Sequence, residues 1–245
     1  MTIIQSTSHS PTFNLAAEEY LFAESQDEVL FLYVNEPSVI IGSNQAIQNE
    51  VDLDFCNENN IQVVRRMSGG GAVYHDEGNI NYSFIKNKRS GEFPLDGDFL
   101  QPILQVLREL HIDVHIGKRK DLWVTGEYKI SGTASHIGKT RELHHGTLLY
   151  DADMEKLQKA LTPKRIITKI KAIASVPSPV KNLCAYLNEK NLSARSSPQF
   201  FKLLTEKLLG FYALESLSRF TDEEISKIQQ IQFNKYESGE WTNKK

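Results

Sequence analysis

Residues 65–76 read Arg-Arg-Met-Ser-Gly-Gly-Gly-Ala-Val-Tyr-His-Asp. Three successive glycines lose much conformational freedom on folding, so a plain turn rarely uses all three. Without Cβ atoms, the backbone at Gly69, Gly70 and Gly71 can approach a ligand closely and aim several N–H groups at an anion. Arg65 and Arg66, just upstream, add fixed charge and bidentate donors for carboxylate or phosphate. A second stretch, residues 129–134 (Lys-Ile-Ser-Gly-Thr-Ala), sets a lysine among apolar and small residues, as in a strand that sends an ammonium group into a pocket. Beside a phosphate, such a lysine stabilises charge that develops during acyl activation. The third stretch, residues 144–149, opens on two histidines. Neighbours in a strand point to opposite faces, so one of His144 and His145 can meet a ligand while the other packs, and they are poorly placed to share a metal. Cys184 reads as structural rather than nucleophilic.

Two near-misses fall away. Residues 132–140 look like a P-loop but place five residues between Gly132 and Gly138, where the motif has four. The glycines at 69–71 do not form a G-x-G-x-x-G in a strand–helix–strand context, which leaves a Rossmann dinucleotide site unsupported.

The elements that must position these residues follow from periodicity. Helices are predicted over 15–25 with Asn14 as N-cap, over 98–111, 154–161, 197–211 and 222–232. Strands are predicted over 29–34, 38–41, 61–65, 72–75, 79–85, 121–124, 128–136, 143–150 and 212–216, and residues 162–179 read as a long ordered loop. Strands cluster rather than alternate with helices, which favours α+β with a mostly antiparallel or mixed sheet.

The 245 residues can bury a sizeable core, and 40% hydrophobic with 24% charged residues argues against disorder. No apolar run reaches the roughly 18 residues of a membrane helix, and the N-terminus lacks the basic and apolar regions of a secretory signal. Two cysteines make no disulfide framework, so a cytoplasmic setting is expected. The net charge of −3 hides an asymmetry: residues 65–181 carry 19 Lys and Arg against 13 Asp and Glu. A basic middle in an acidic chain suits a local anion site better than a nucleic-acid groove.

Residues 65–76, 129–134 and 144–149 resemble, in order and spacing, the three signatures of the lipoate–protein ligase and lipoyltransferase family. Residues 14–19 (Asn-Leu-Ala-Ala-Glu-Glu) resemble its opening helix, and residues 39–42 with Asn44 and Gln45 its following strand and turn. The resemblance covers about residues 12–242. It implies the α+β fold of biotin ligases and class II synthetases, a mixed, mostly antiparallel sheet flanked by helices. It also implies one catalytic domain over 1–245, without the C-terminal accessory domain of longer relatives. The implied activity forms or uses lipoyl-AMP from lipoate and Mg-ATP and transfers the lipoyl group to a lysine of an acceptor lipoyl domain. Lys129 would be the catalytic lysine. Arg66, Ser68, Gly70, Gly71, Ala72, Val73, Tyr74, His75, Asn79, Ser131 and His145 would bind lipoyl-AMP or ATP, and Asp121 is the candidate for Mg. ATP and Mg are implied as co-substrate and ion, lipoate as substrate, and no tightly bound cofactor. Expected partners are acidic lipoyl domains of 2-oxoacid dehydrogenases or glycine-cleavage H protein, with a separate accessory subunit, but no nucleic acid and no membrane. Two other readings stand beside it: an octanoyl or lipoyl transferase working from an acyl carrier without ATP, and a lipoate-binding regulatory module. Lys120 departs from the family pattern, which often has a neutral amide there, and residues 242–245 read as a polar tail.

Overall fold

The computed structural model of the protein describes residues 1–88, 99–125, 127–164 and 172–244. In chain order the elements are β1 (Thr2–Gln5), α1 (Pro11–Ala23), β2 (Val29–Val34), β3 (Ser38–Ile41), α2 (Ile47–Glu50), α3 (Leu53–Glu58), β4 (Gln62–Arg65), β5 (Val73–His75) and β6 (Asn79–Asn87). There follow α4 (Gln101–Glu109), β7 (Val114–Ile116), β8 (Leu122–Val124), β9 (Tyr128–Lys129), β10 (Thr133–Ile137), β11 (Arg141–Leu149) and α5 (Met154–Ala160). The last helices are α6 (Leu183–Glu189), α7 (Ser197–Phe211) and α8 (Asp222–Ile231), which runs into a π-helical turn, Gln232–Tyr236.

The main sheet has the order β1-β2-β6-β11-β10, parallel only between β1 and β2. Its second strand, Val-Leu-Phe-Leu-Tyr-Val, is almost wholly buried because both of its faces are covered. Leu30 and Leu32 join Ile103, Leu107 and Leu204 in the core under α4 and α7, while Phe31 and Tyr33 join Leu15 and Ile228 in the core under α1 and α8. That alternation follows from the period of two along a strand. A second sheet, β4-β3-β5, packs Val39 and Ile41 with Cys56 and Tyr74, and a third, β7-β8-β9, is antiparallel. The α+β expectation holds.

Several boundaries differ from the sequence reading. The first helix begins four residues before Leu15 at Pro11, capped by Ser10, whose side chain accepts from the Phe13 N–H. Asn14 therefore lies inside the helix, buried, with its amide spent on tertiary bonds. The strand expected over 128–136 is broken into β9 and β10, and β7 was not foreseen. No strand forms at 212–216. Ala213 takes a left-handed φ of 53°, and the Leu214 N–H bonds back to the Leu209 carbonyl, so the chain is still closing α7. Residues around Cys184 form a helix, α6. The expected tail is not loose: Thr242 is buried, and its carbonyl accepts from both Nε and Nη2 of Arg65. Asp98 and residues 165–171 lie outside the described residues.

Candidate active site

The glycine run leaves β4 and is held from within by Arg66. This side chain is buried, and its Nη2 donates to the carbonyls of Gly69 (2.6 Å) and Gly71 (2.8 Å), its Nη1 to Ile40 (3.0 Å) and its Nε to Ser68 Oγ (2.9 Å). Burial pushes its pKa down to about 10, which leaves it cationic at neutral pH. Gly70 sits at φ 89°, where a side chain is strained, and a Cβ on Gly42 would collide with the Gly70 carbonyl. Arg65 points the other way. Its Nη1 donates to the carbonyls of Gly42 and Gln45 at 2.8 Å, and its other nitrogens to Trp241, Thr242 and Lys244. The expectation of a free pair of arginines for an anion is therefore corrected. Arg65 spends its donors on backbone carbonyls and Arg66 on three backbone carbonyls and Ser68 Oγ, and of the two only Arg66 borders the smaller cavity.

Behind the loop lies a buried polar chain. His145 Nε2 is 2.6 Å from Ser68 Oγ, and its Nδ1 is 3.0 Å from both carboxylate oxygens of Glu18. Tyr33 and Ser83 also donate to Glu18. Burial alone would raise the Glu18 pKa, but the His145 charge and the three side-chain hydrogen bonds outweigh it and hold the pKa below the usual carboxylate value. Ser68, His145 and Glu18 thus line up like a nucleophile, base and orienting acid. The serine is nevertheless fully enclosed, borders neither cavity and accepts from Arg66, so the chain braces the loop and does not attack a substrate. His144 points to the opposite face, against Phe99 and Ser135, as strand alternation requires.

Two cavities meet at this loop. One, of about 300 Å³, has Leu15, Ile40, Val73, His75, Asn81 and His145 among its walls, with Arg119, Asp121 and Lys129 beside them. The other, of about 640 Å³, includes Tyr74, Asn79, Ser131, Met154 and Leu157. Lys129, Ala72, Val73 and Gly132 border both. Lys129 is fixed between Trp123 of β8 and Val180, and its Nζ lies 3.2 Å from Asp121 Oδ2. Burial works against the Asp121 charge, but hydrogen bonds from Trp123 and Lys129 and the Lys129 charge prevail and lower its pKa.

Of Lys129, Asp121 and the residues expected to bind lipoyl-AMP or ATP, all except Ser68 border at least one of the two cavities, whereas Arg65, Gly69 and His144 border neither; Asn79 and Ser131 belong to the second, where Ser131 Oγ meets Tyr82 OH at 3.1 Å. Sequence reading missed Glu18, Asn81 and Ser175. Ser175 Oγ accepts from the Ala72 N–H (2.9 Å) and Gln45 Nε2 (3.1 Å) and donates to the buried Glu50 carboxylate, which pins residues 173–176 over the glycine run. The available signal for Asn81 was polar residues at alternate positions, Asn79, Asn81 and Ser83, in the otherwise apolar run 79–85. Among the described residues no group of three or more His, Cys, Asp and Glu could cage a metal ion. Asp121 fits a magnesium ion only in the way such ions often bind, through one carboxylate with phosphates completing the shell.

A glycine-walled, mostly apolar cavity with a lysine, an aspartate and an arginine beside it suits a ligand with an apolar tail and an anionic head. The chain belongs to the lipoyl protein ligase A/B catalytic domain family, whose model matches residues 10–207. It is 36% identical over 233 residues to lipoate–protein ligase 1 of Staphylococcus aureus, covering 94% of this chain and 69% of that one. A lipoate–protein ligase A solved with ATP superposes with a TM-score of 0.80 at 25% identity, covering 99% of this chain and 98% of the other. A putative lipoate protein ligase of Thermoplasma acidophilum with bound lipoic acid gives 0.77 at 25% identity and the same coverage.

Proposed function

We propose that the chain binds lipoate in the smaller cavity and the nucleotide in the larger one, with Lys129 at their junction. The observation that carries this reading is that one lysine borders both cavities beside Asp121 and Arg119. In the first half-reaction a carboxylate oxygen of lipoate attacks the α-phosphorus of ATP. The acyl–phosphate bond forms, the α–β phosphoanhydride bond breaks, and pyrophosphate leaves. Lys129 stabilises the charge that gathers on the phosphoryl and acyl oxygens. In the second, the amine of an acceptor lysine attacks the acyl carbon, AMP departs with the acyl-bound oxygen, and the amine loses its proton. Magnesium, when bound, supplies neutralising charge to the phosphates, and Asp121 is the residue that would hold it. The acceptor is an acidic lipoyl domain or H protein, drawn to the basic middle of the chain.

Transfer from an acyl carrier without ATP is less well supported. Cys56 is fully buried, with its thiol pushed up to about 11 chiefly by burial, and neither it nor Cys184 borders a cavity. The test is to incubate the chain with lipoate, Mg-ATP and an acceptor lipoyl domain, following acceptor mass and pyrophosphate. Lipoylation with matching pyrophosphate release is expected. Modification from an acyl carrier protein with no pyrophosphate would overturn the reading.

A further inference from the structure

His75, one of the residues lining the smaller cavity, holds a buried proton donor that the protein leaves unmet. His75 is 3% exposed; its Nδ1 lies 3.0 Å from Asn35 Nδ2, and its Nε2 has no protein partner. A backbone carbonyl two side chains away fixes the tautomer. Asn14 Nδ2 donates to the Ser8 carbonyl (2.9 Å) and to Asn35 Oδ1 (2.9 Å), while Asn14 Oδ1 accepts from Ser6 Oγ (2.6 Å). A carbonyl can only accept, so the Asn14 amide can sit only this way round. Asn35 must then turn its oxygen to Asn14 and its NH₂ to His75. Nδ1 of His75 therefore accepts, and the neutral ring carries its proton on Nε2, away from Asn35. Burial, with the Arg66 and His145 charges, pushes the His75 pKa down to about 3, so the ring is neutral at physiological pH. Asn81, on the same cavity, also has an amide nitrogen without a partner; its Oδ1 accepts from Asn79 Nδ2 at 2.9 Å.

A buried donor left unpaired by a ligand weakens binding by about five- to a hundredfold relative to a ligand that satisfies it. With the substrate carboxyl drawn to Lys129 and Arg119, its tail is left to the wall of Leu15, Ile40 and His75. We propose that His75 is a specificity-determining residue whose Nε2–H selects an acyl tail carrying an acceptor, the ring sulfur of a dithiolane, over a bare hydrocarbon tail of the same length. This rests on the lipoate reading above and names what in the site reads the ring.

The experiment measures binding of lipoate and of octanoate to the full chain without ATP, for the native protein, His75→Phe and His75→Gln. Nitrogen NMR of histidine-labelled native protein runs alongside. The native chain should prefer lipoate by about tenfold or more. His75→Phe should lose most of that preference, and His75→Gln, which restores a donor, should keep it. The His75 Nε2 resonance should carry the proton and move with lipoate more than with octanoate. An unchanged preference in His75→Phe, or a proton found on Nδ1, would overturn the proposal, and the NMR arm decides alone should that variant not fold. Equal binding of both acids to the native chain sinks only the selectivity, whereas no binding of either sinks the lipoate reading with it.

Discussion

Lys129 Nζ already has a partner in Asp121, yet it borders both cavities, so a phosphoryl or acyl oxygen arriving from either side shares the ammonium with a carboxylate held in place by Trp123. Such a lysine matters most when charge is greatest. Lys129→Ala should therefore lower the single-turnover rate by on the order of a hundredfold or more, a few kcal/mol. Its melting temperature should fall as well, because the buried Asp121 carboxylate loses its ammonium partner, so the rate is compared at a temperature where the variant is folded. A folded variant with near-native turnover would remove Lys129 from the chemistry. His144 supports a prediction about stability instead. It packs on Phe99, its Nδ1 meets Ser135, and burial followed by the His145 and Lys120 charges pushes its pKa down to about 3. The sign follows from which state binds the proton. Above the ordinary value of 6.5 both folded and unfolded forms are neutral. Below it the unfolded chain takes up a proton that the folded chain refuses, so stability is lost as pH falls from 6.5 toward the folded value, by up to about 1.4 kcal/mol per pH unit. Urea unfolding between pH 6.5 and 4.5 should show a shallower loss in His144→Phe than in the native protein. Parallel slopes would mean that the buried ring titrates normally.

The elements around the glycine run act as a three-sided clamp: Arg66 just past β4, Gly42 just past β3, and Ser175 from the covering segment. Ser175→Ala removes an oxygen that joins the Ala72 N–H, Gln45 and Glu50, and leaves the buried Glu50 carboxylate only the Ser175 N–H among these bonds. The covering segment should then open more readily. The KM for the acid should rise by about tenfold, with a smaller fall in kcat and faster proteolysis near residue 175. Unchanged KM and unchanged proteolysis would show that the latch is incidental. How far these elements could be read in advance depended on how local their causes are. The glycines, Lys129 and the opposed histidines are legible because close backbone approach and strand alternation act within a few residues. The Glu18–His145 bond joins residues 127 apart, and although residues 14–19 resemble the family's opening helix, nothing local tells Glu18 from Glu19 as the buried partner of a histidine. Asn14 read as an N-cap because its residue type favours caps. The cap is Ser10, and Asn14 was needed inside to orient Asn35. Helices α2, α3 and α6 span only four to seven residues, too short for a helical period to stand out.

At the scale of the molecule, the main sheet carries the site on one strand pair, since the β6–β11 register sets Asn81 opposite Thr147 and Ser83 opposite His145. The smaller sheets bring the glycine run from one side and Lys129 from the other. No helix among the described residues is long and apolar enough to cross a membrane. Arg65 links the glycine-loop strand to residues 241–244, so the chain's last described residues are part of the wall behind the site. The two half-reactions draw on this assembly unequally. On the function proposed above, transfer needs a bound acyl group and Lys129. Activation must also offset the charge on three phosphates, and here the described residues offer less. Asp121 is already paired with Lys129, and among the described residues no cluster of three acidic, His or Cys side chains could hold an ion. We propose that a second protein which supplies charge or closes over the nucleotide would relieve that shortfall. The purified chain should therefore modify an acceptor domain from supplied lipoyl-adenylate at least about tenfold faster than from lipoate and Mg-ATP, a difference of about 1.4 kcal/mol in the limiting barrier. Adding a candidate accessory protein should raise only the second rate. Equal rates from the two donors would show that the chain activates lipoate unaided, and that Asp121 with the substrate phosphates suffices to hold the ion.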